Sequence, residues 1–155
     1  MPCTFTQSKR KRLVFSLTVG SRYGAAQGGN LEMINFAIDK CGHYVNNDWG
    51  LGGAAKTGQM WLIEFFINRG ANDFSGALSQ AIRGNQMWLV PFFIAKGVDN
   101  WNHALYAAAK MGNLDLVKDF ISRGATAYEY AMLGALKRYN FEIRDYLERI
   151  AFGEK

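Results

Sequence analysis

From residue 113 to 124 the chain reads NLDLVKDFISRG, with apolar residues at Leu114, Leu116, Val117, Phe120 and Ile121. That spacing puts them on one face of a helix. Asn113 stands where an N-cap belongs, Asp115 lies in the first turn and Arg123 in the last, and Gly124 is placed as a left-handed stop. Just before it, ALYAAAKMG at 104–112 is short, alanine-rich and closed by a glycine. It predicts a first helix joined by a tight turn to the second. No stretch alternates apolar and polar residues with period two, so the pattern leaves little room for strands.

This pattern repeats along the chain. QMWLIEFFINRG at 59–70 returns as QMWLVPFFIAKG at 86–97, a shift of 27 residues. The same 27-residue interval separates Gly70, Gly97 and Gly124; Ala54, Ala81, Ala108 and Ala135; and Leu62, Leu89, Leu116 and Ile143. An earlier copy, AAQGGNLEMINFAIDKCG at 25–42, fits with a shift of 29. A period in this range means a solenoid in which each unit covers the apolar face of its neighbour. Four units are recognisable and a fifth, C-terminal one is divergent, with approximate boundaries at 21–48, 49–75, 76–102, 103–129 and 130–150. Residues 1–20 form a basic arm and N-terminal cap, and 151–155 a tail. The expected fold class is all-α. Pro91, in the second helix of the third unit, requires that helix to start late or kink.

Here a family resemblance enters. GNLDLVKDFISRGA at 112–125 resembles the second-helix signature of ankyrin repeats, and ALYAAAKMGN at 104–113 their first helix. The likeness runs from roughly residue 22 to 150. It departs from the usual pattern in two respects. The unit is 27 residues rather than about 33, and the T-P-L-H opening is replaced by FSGALSQA at 74–81 and WNHALYAA at 101–108. A hairpin-less repeat of this kind resembles the degenerate ankyrin arrays of large DNA viruses. The resemblance implies an ankyrin-like solenoid of about five stacked helix-turn-helix units. It further implies a non-catalytic scaffold that binds a host or virion protein, in the host cytoplasm or nucleus or in the virion.

Composition fits a folded soluble protein. Hydrophobic residues make up 49% of 155 and charged residues 20%, and no apolar run is long enough for a membrane span. LVFSLTV at 13–19 follows basic residues but is short and lacks a clean cleavage pattern, which argues against a signal peptide. Cys3 and Cys41 have no metal-type spacing and suit a reducing compartment. Catalysis needs convergent titratable groups. His43 and His103 lie two units apart, and neither a nucleophile-histidine-acid set nor paired carboxylates are visible. GLGGAAKTG at 50–58 lacks phosphate-loop spacing, and its Ala54, Ala55 and Lys56 belong to repeat columns. No enzyme, cofactor or metal site is expected.

Two surfaces are candidates for a partner. On the second helices, positions 61, 64 and 68 share a face that is polar elsewhere, as in Glu32, Asn35, Asp39 and in Asp115, Lys118, Ser122. Trp61 and Trp88 occupy the slot that holds Glu32, Asp115 and Glu142 in other units. They would stand about 10 Å apart, either as a partner contact or folded back as packing. In the loops, Phe74, Trp101 and Tyr128 form one column and Trp49, Gly76, His103 and Tyr130 another, with Asn72, Asp73, Asn100 and Asn102 between. These either make a contact surface or wedge the units while the polar residues cap and turn. The partner-binding candidates are therefore Trp61, Trp88, Phe74, Trp101, His103 and Tyr128.

Charge adds one further candidate. Lys9, Arg10, Lys11 and Arg12 supply most of the net +5, leaving 14 basic against 13 acidic residues. This arm is an import signal, a contact for nucleic acid or another anionic surface, or a solvated segment. It supports an alternative reading as a nucleic-acid- or virion-associated structural protein. The columns Lys56, Arg83, Lys110, Lys137 and Lys40, Arg69, Lys96, Arg123 end helices, where cations are expected. Arg138, Glu142, Arg144, Asp145, Glu148 and Arg149 make the last unit read as a polar C-terminal cap.

Overall fold

The computed structural model of the protein describes residues 47–153 and, ahead of them, the exposed helical positions Glu32 and Asn35. The described residues form helices: α1 (Asn47–Thr57), α2 (Met60–Asn68), α3 (Phe74–Arg83), α4 (Leu89–Gly97), α5 (Asn102–Met111), α6 (Leu114–Ser122), α7 (Tyr128–Leu136) and α8 (Phe141–Phe152). No strand occurs among them. Each odd-numbered helix packs on the helix that follows it, and α1 also packs on α3, α3 on α5 and α5 on α7. The result is a row of helical hairpins stacked chiefly through their first helices.

Small side chains allow that stacking. Ala54, Ala55, Ala77, Ala81, Ala104, Ala107, Ala108, Ala131 and Ala135 are all buried, together with Leu51, Leu78 and Leu105. Backbone meets backbone most closely at Gly84, where an added Cβ would sit 1.8 Å from the Lys56 carbonyl oxygen. The alanine column also closes each hairpin. The amides of Gln59, Gln86, Asn113 and Asn140 donate to the carbonyls of Ala54, Ala81, Ala108 and Ala135, the backbone bond that ends a helix through a left-handed residue. That residue is Gly58, Asn85, Gly112 and Tyr139 in turn, with φ of 73°, 59°, 80° and 59°. Glycine and asparagine suit such angles; a tyrosine there is strained.

The second helices bury Leu62, Ile63 and Phe66; Leu89, Val90 and Phe93; Val117 and Phe120; and Ile143 and Leu147. Asn113 caps α6 as its sequence position predicts, its side chain accepting from the Leu116 amide at 3.0 Å. Pro91 delays α4, which starts at Leu89 whereas α2 starts at the equivalent of Met87. Proline has no N–H to give to the Met87 carbonyl. The Val90 amide takes that acceptor at 3.1 Å, and the Leu89 amide bonds to the Gln86 carbonyl at 3.0 Å. Pro91 thus sits in the first turn, where proline is tolerated.

Side-chain acceptors join each first helix to the loop leading into the next hairpin. Asp48 Oδ1 accepts from the amides of Asn72 at 2.7 Å and Asp73 at 3.0 Å. Ser75 Oγ accepts from the Asn100 amide at 3.1 Å and donates to Asp99 Oδ1 at 2.7 Å. Asn102 Oδ1 accepts from the amides of Thr126 at 2.9 Å and Ala127 at 3.1 Å. Asp48, Ser75 and Asn102 are spaced by 27 residues. The unit boundaries expected at 49, 76, 103 and 130 fall one or two residues inside the first helices, and α8 continues to Phe152.

The expected polar C-terminal cap is corrected in part. On α8, Arg144 and Glu148 fill columns that hold Ile63, Val90, Val117 and Ile67, Ile94, Ile121 in the preceding hairpins. On α7 and the turn, however, Leu133, Leu136 and Tyr139 are exposed, as are Phe141, Ile150 and Phe152 around them. Polar residues thus occupy, on the second helix only, columns that are apolar and buried or part-buried in the earlier hairpins. The basic arm and N-terminal cap expected at 1–20 lie outside the described residues.

Gly84→Ala should destabilise the fold by about 3 kcal/mol or more, because its Cβ meets backbone that cannot swing aside. Urea unfolding of the variant against wild type measures this.

Candidate functional site

The outer face of the second helices is solvent-exposed in every described hairpin. It comprises Trp61, Glu64 and Asn68 on α2; Trp88, Pro91 and Ala95 at α4; Asp115, Lys118 and Ser122 on α6; and Glu142, Asp145 and Arg149 on α8. Glu32 and Asn35 continue the face at its other end, also exposed. Trp61 is 47% and Trp88 53% exposed. Each therefore shows about half its surface to solvent on a face otherwise made mainly of polar groups. No ring contact joins the two indoles. Trp88 Nε1 donates to Gln86 Oε1 at 3.1 Å, which holds one indole against its own turn.

The loop column turns inward instead. Phe74, Trp101 and Tyr128 are partly buried and pack against the core. Trp101 stacks on Phe120 with centroids 5.8 Å apart at 25°, and the Arg123 guanidinium lies 5.3 Å above its ring. Trp101 thus wedges against a second helix, while Phe74 and Tyr128, at the starts of α3 and α7, pack against the core; three of the six candidate aromatic and histidine positions are engaged in packing. The polar residues between them are occupied in turns: Asn102 holds the next loop, Asp73 Oδ1 accepts from the Gly76 amide at 2.7 Å, and Asn100 Oδ1 from the Asn102 amide at 3.0 Å. The hydroxyl of Ser75 and the amides around it hold the Asp99 carboxyl below the usual aspartate range.

His103 faces outward in the first turn of α5, in the same column as the half-exposed Trp49 and Tyr130. One turn and more along this face lie Arg83, Lys110 and Lys137. Two of these are engaged with an aromatic residue rather than only with their helix ends. Tyr130 stacks on Tyr106 at 4.3 Å and 18°. The Arg83 guanidinium lies 5.4 Å and the Lys137 ammonium 6.0 Å from the Tyr106 centroid, and Lys137 Nζ donates to the Tyr106 hydroxyl at 3.4 Å. Sequence reasoning missed this cluster. Tyr106 stands in a column of Gly52, Ser79 and Leu133, so no recurrence signals it.

The basic arm, Lys9 to Arg12, lies outside the described residues, as does His43. Among the described residues no group of three or more histidine, cysteine or acidic side chains is placed to hold a metal ion. None of their helices is long and apolar enough to cross a membrane. The arrangement presents aromatic and charged groups on packed helices. No family model matches the chain, and no curated protein matches it.

Burial separates the tryptophans by role. Trp101→Ala should cost about 2–4 kcal/mol through loss of the Phe120 stack. Trp61→Ala and Trp88→Ala should each stay within about 1 kcal/mol of wild type. Chemical denaturation of the three variants side by side checks this.

Proposed function

We propose that the protein is a non-catalytic, ankyrin-like scaffold that binds another protein, and that Trp61 and Trp88 are its principal contact residues. The observation that carries this reading is their exposure. Two tryptophans occupy one repeat column on consecutive second helices, half open to solvent, where the equivalent residues are Glu32, Asp115 and Glu142. Large aromatics on a rigid framework lose little conformational freedom on binding and commonly dominate interface energies. Stacked hairpins with a 27-residue period support the solenoid reading, because each covers the apolar face of its neighbour.

The resemblance to viral ankyrin arrays makes a host or virion protein the natural partner class in this proposal. His103, with Trp49 and Tyr130 on the first helices, offers a second contact strip. Phe74, Trp101 and Tyr128, partly buried against the core, offer a partner less of their surface.

The test is capture from a host-cell lysate with mass spectrometry, wild type beside the double variant Trp61→Asp/Trp88→Asp. Those substitutions install the acidic residue type found elsewhere in the column. A protein captured by wild type and lost in the folded double variant supports the proposal. Unchanged capture removes the tryptophans from it, and recovery of nucleic acid alone would favour the basic arm at residues 9–12.

A further inference from the structure

The first helices turn one face outward in every described hairpin, whichever hairpin stands at an end of the row. Three columns at helical spacing make up that face. Trp49, Gly76, His103 and Tyr130 lie in the first turn, Gly53, Gln80, Ala107 and Gly134 in the middle, and Lys56, Arg83, Lys110 and Lys137 at the helix ends. The face thus grades from aromatic, through small, to cationic, and none of its positions is acidic. The acidic residues of the first helices, Asp48 and Glu129, stand in the column that faces the following loop. Glu64, Asp115, Asp119, Glu142, Asp145 and Glu148 lie on the second helices instead.

The helix dipole accounts for a cation at a helix end, but not for where these cations reach. At the second helices Arg69 lies over Phe65 and Lys96 over Phe92, each one turn back along its own helix. Arg123 and Arg144 pair with Asp119 and Asp145. Arg83 and Lys137 behave differently. They leave their own hairpins and converge on Tyr106 of the hairpin between them, 5.4 and 6.0 Å from its centroid. Lys110 stands one turn from Tyr106 on α5. The tyrosine itself is fixed: it is buried, Tyr130 stacks on it, and Gly134 leaves room for its ring where an added Cβ would come within 3.0 Å of Cδ2.

Two cations are therefore gathered on one ring, with a third a turn away and no carboxylate between them. A ring contact neutralises no charge. The guanidinium keeps its N–H donors, and Lys137 gives one of its three to the Tyr106 hydroxyl. Like charges placed in this way repel, and an incoming anion relieves the repulsion.

We propose that this face binds an acidic segment of a partner protein, extended across the row of first helices along the cationic column. Spacing sets the pattern of that segment. Packed helices lie about 8–10 Å apart and an extended chain advances about 3.3 Å per residue, so carboxylates at every third position meet successive cations. Gly53, Ala107 and Gly134 are buried and small, which lets the segment's backbone approach. Trp49, His103 and Tyr130 bound it on the loop side. A single-stranded nucleic acid fits less well, because it needs successive bases stacked on aromatic platforms. Trp49 and Tyr130 stand three hairpins apart, Gly76 interrupts the column, and the Tyr130 ring is already stacked on Tyr106. The inference rests on the reading of the chain as a protein-binding scaffold and names the partner class of its first-helix strip; Trp61 and Trp88 take no part in it.

Fluorescence anisotropy with the full chain at low salt tests the inference. The probe is a labelled peptide with four aspartates, one at every third position, separated by serine and glycine. A reference peptide has the same composition with its aspartates adjacent. The spaced peptide should bind, and more tightly than the reference. Arg83→Gln, Lys110→Gln and Lys137→Gln should each weaken it about 2- to 5-fold, and the triple variant about 10-fold or more. These side chains are exposed or half-buried and glutamine keeps part of each stem, so the variants retain the fold, which circular dichroism checks. Lys96→Gln/Lys118→Gln, a comparable charge loss on the second helices, should leave binding unchanged. Absence of binding, or no preference for the spaced peptide, would overturn the inference. So would an equal loss in the second-helix variant, tighter binding of an oligouridylate of equal charge, or binding that is lost only in Lys9→Gln/Arg10→Gln/Lys11→Gln/Arg12→Gln. None of these results touches lysate capture through Trp61 and Trp88, so the two readings fall separately.

Discussion

One side-chain acceptor per first helix fixes where the next hairpin begins. Asp48, Ser75 and Asn102 each take backbone amides of the loop leading into the following hairpin. Asn72, Asp73, Asn100 and Thr126 are themselves exposed, so these bonds fix the geometry of the loops rather than rescue buried donors. Once the loop is held, the next first helix can approach only at one register. The alanine columns and Gly84 then let it come close enough to bury Leu51, Leu78 and Leu105. The 27-residue period is the length of chain needed to return to that acceptor.

This division of labour leaves the outer faces free. The second helices spend one side on Phe66, Phe93, Phe120 and Leu147 and expose the other. Residues there can change without touching the core, as Trp61, Trp88 and Asp115 in one column illustrate. Function in such a stack lies in what is grafted on the open positions.

Much of this was legible in the sequence. The helices, their caps and turns followed from the apolar period, Asn113 and the recurring glycines. Pro91 announced a helix that starts late or kinks, because a missing amide must be compensated locally; the late start is what α4 adopts. Recurrence singled out the column of Phe74, Trp101 and Tyr128 but left contact surface and wedge as alternatives, and all three stood among the partner-binding candidates. Other features were hidden for identifiable reasons. Asp48, Ser75 and Asn102 share a task but not a residue type, since carboxylate, hydroxyl and amide oxygens all accept hydrogen bonds. Tyr106 gathers Arg83, Tyr130 and Lys137 from neighbouring hairpins, a juxtaposition that no single unit displays. The charged residues of α8 suggested a complete cap because the counting of charges ignores which face they occupy; Leu133 and Leu136 lie on α7 beside them.

Native-state hydrogen exchange tests the central claim most directly. The amides of Asn72, Asp73, Asn100, Thr126 and Ala127 sit in loops, yet the account requires them to be protected nearly as well as the helices they border. In Asn102→Ala, Thr126 and Ala127 should lose that protection while Asn72 and Asp73 keep it. Exchange of all five at the rate of free loop amides, or an Asn102→Ala variant with Thr126 and Ala127 still protected, would contradict the role assigned to these acceptors.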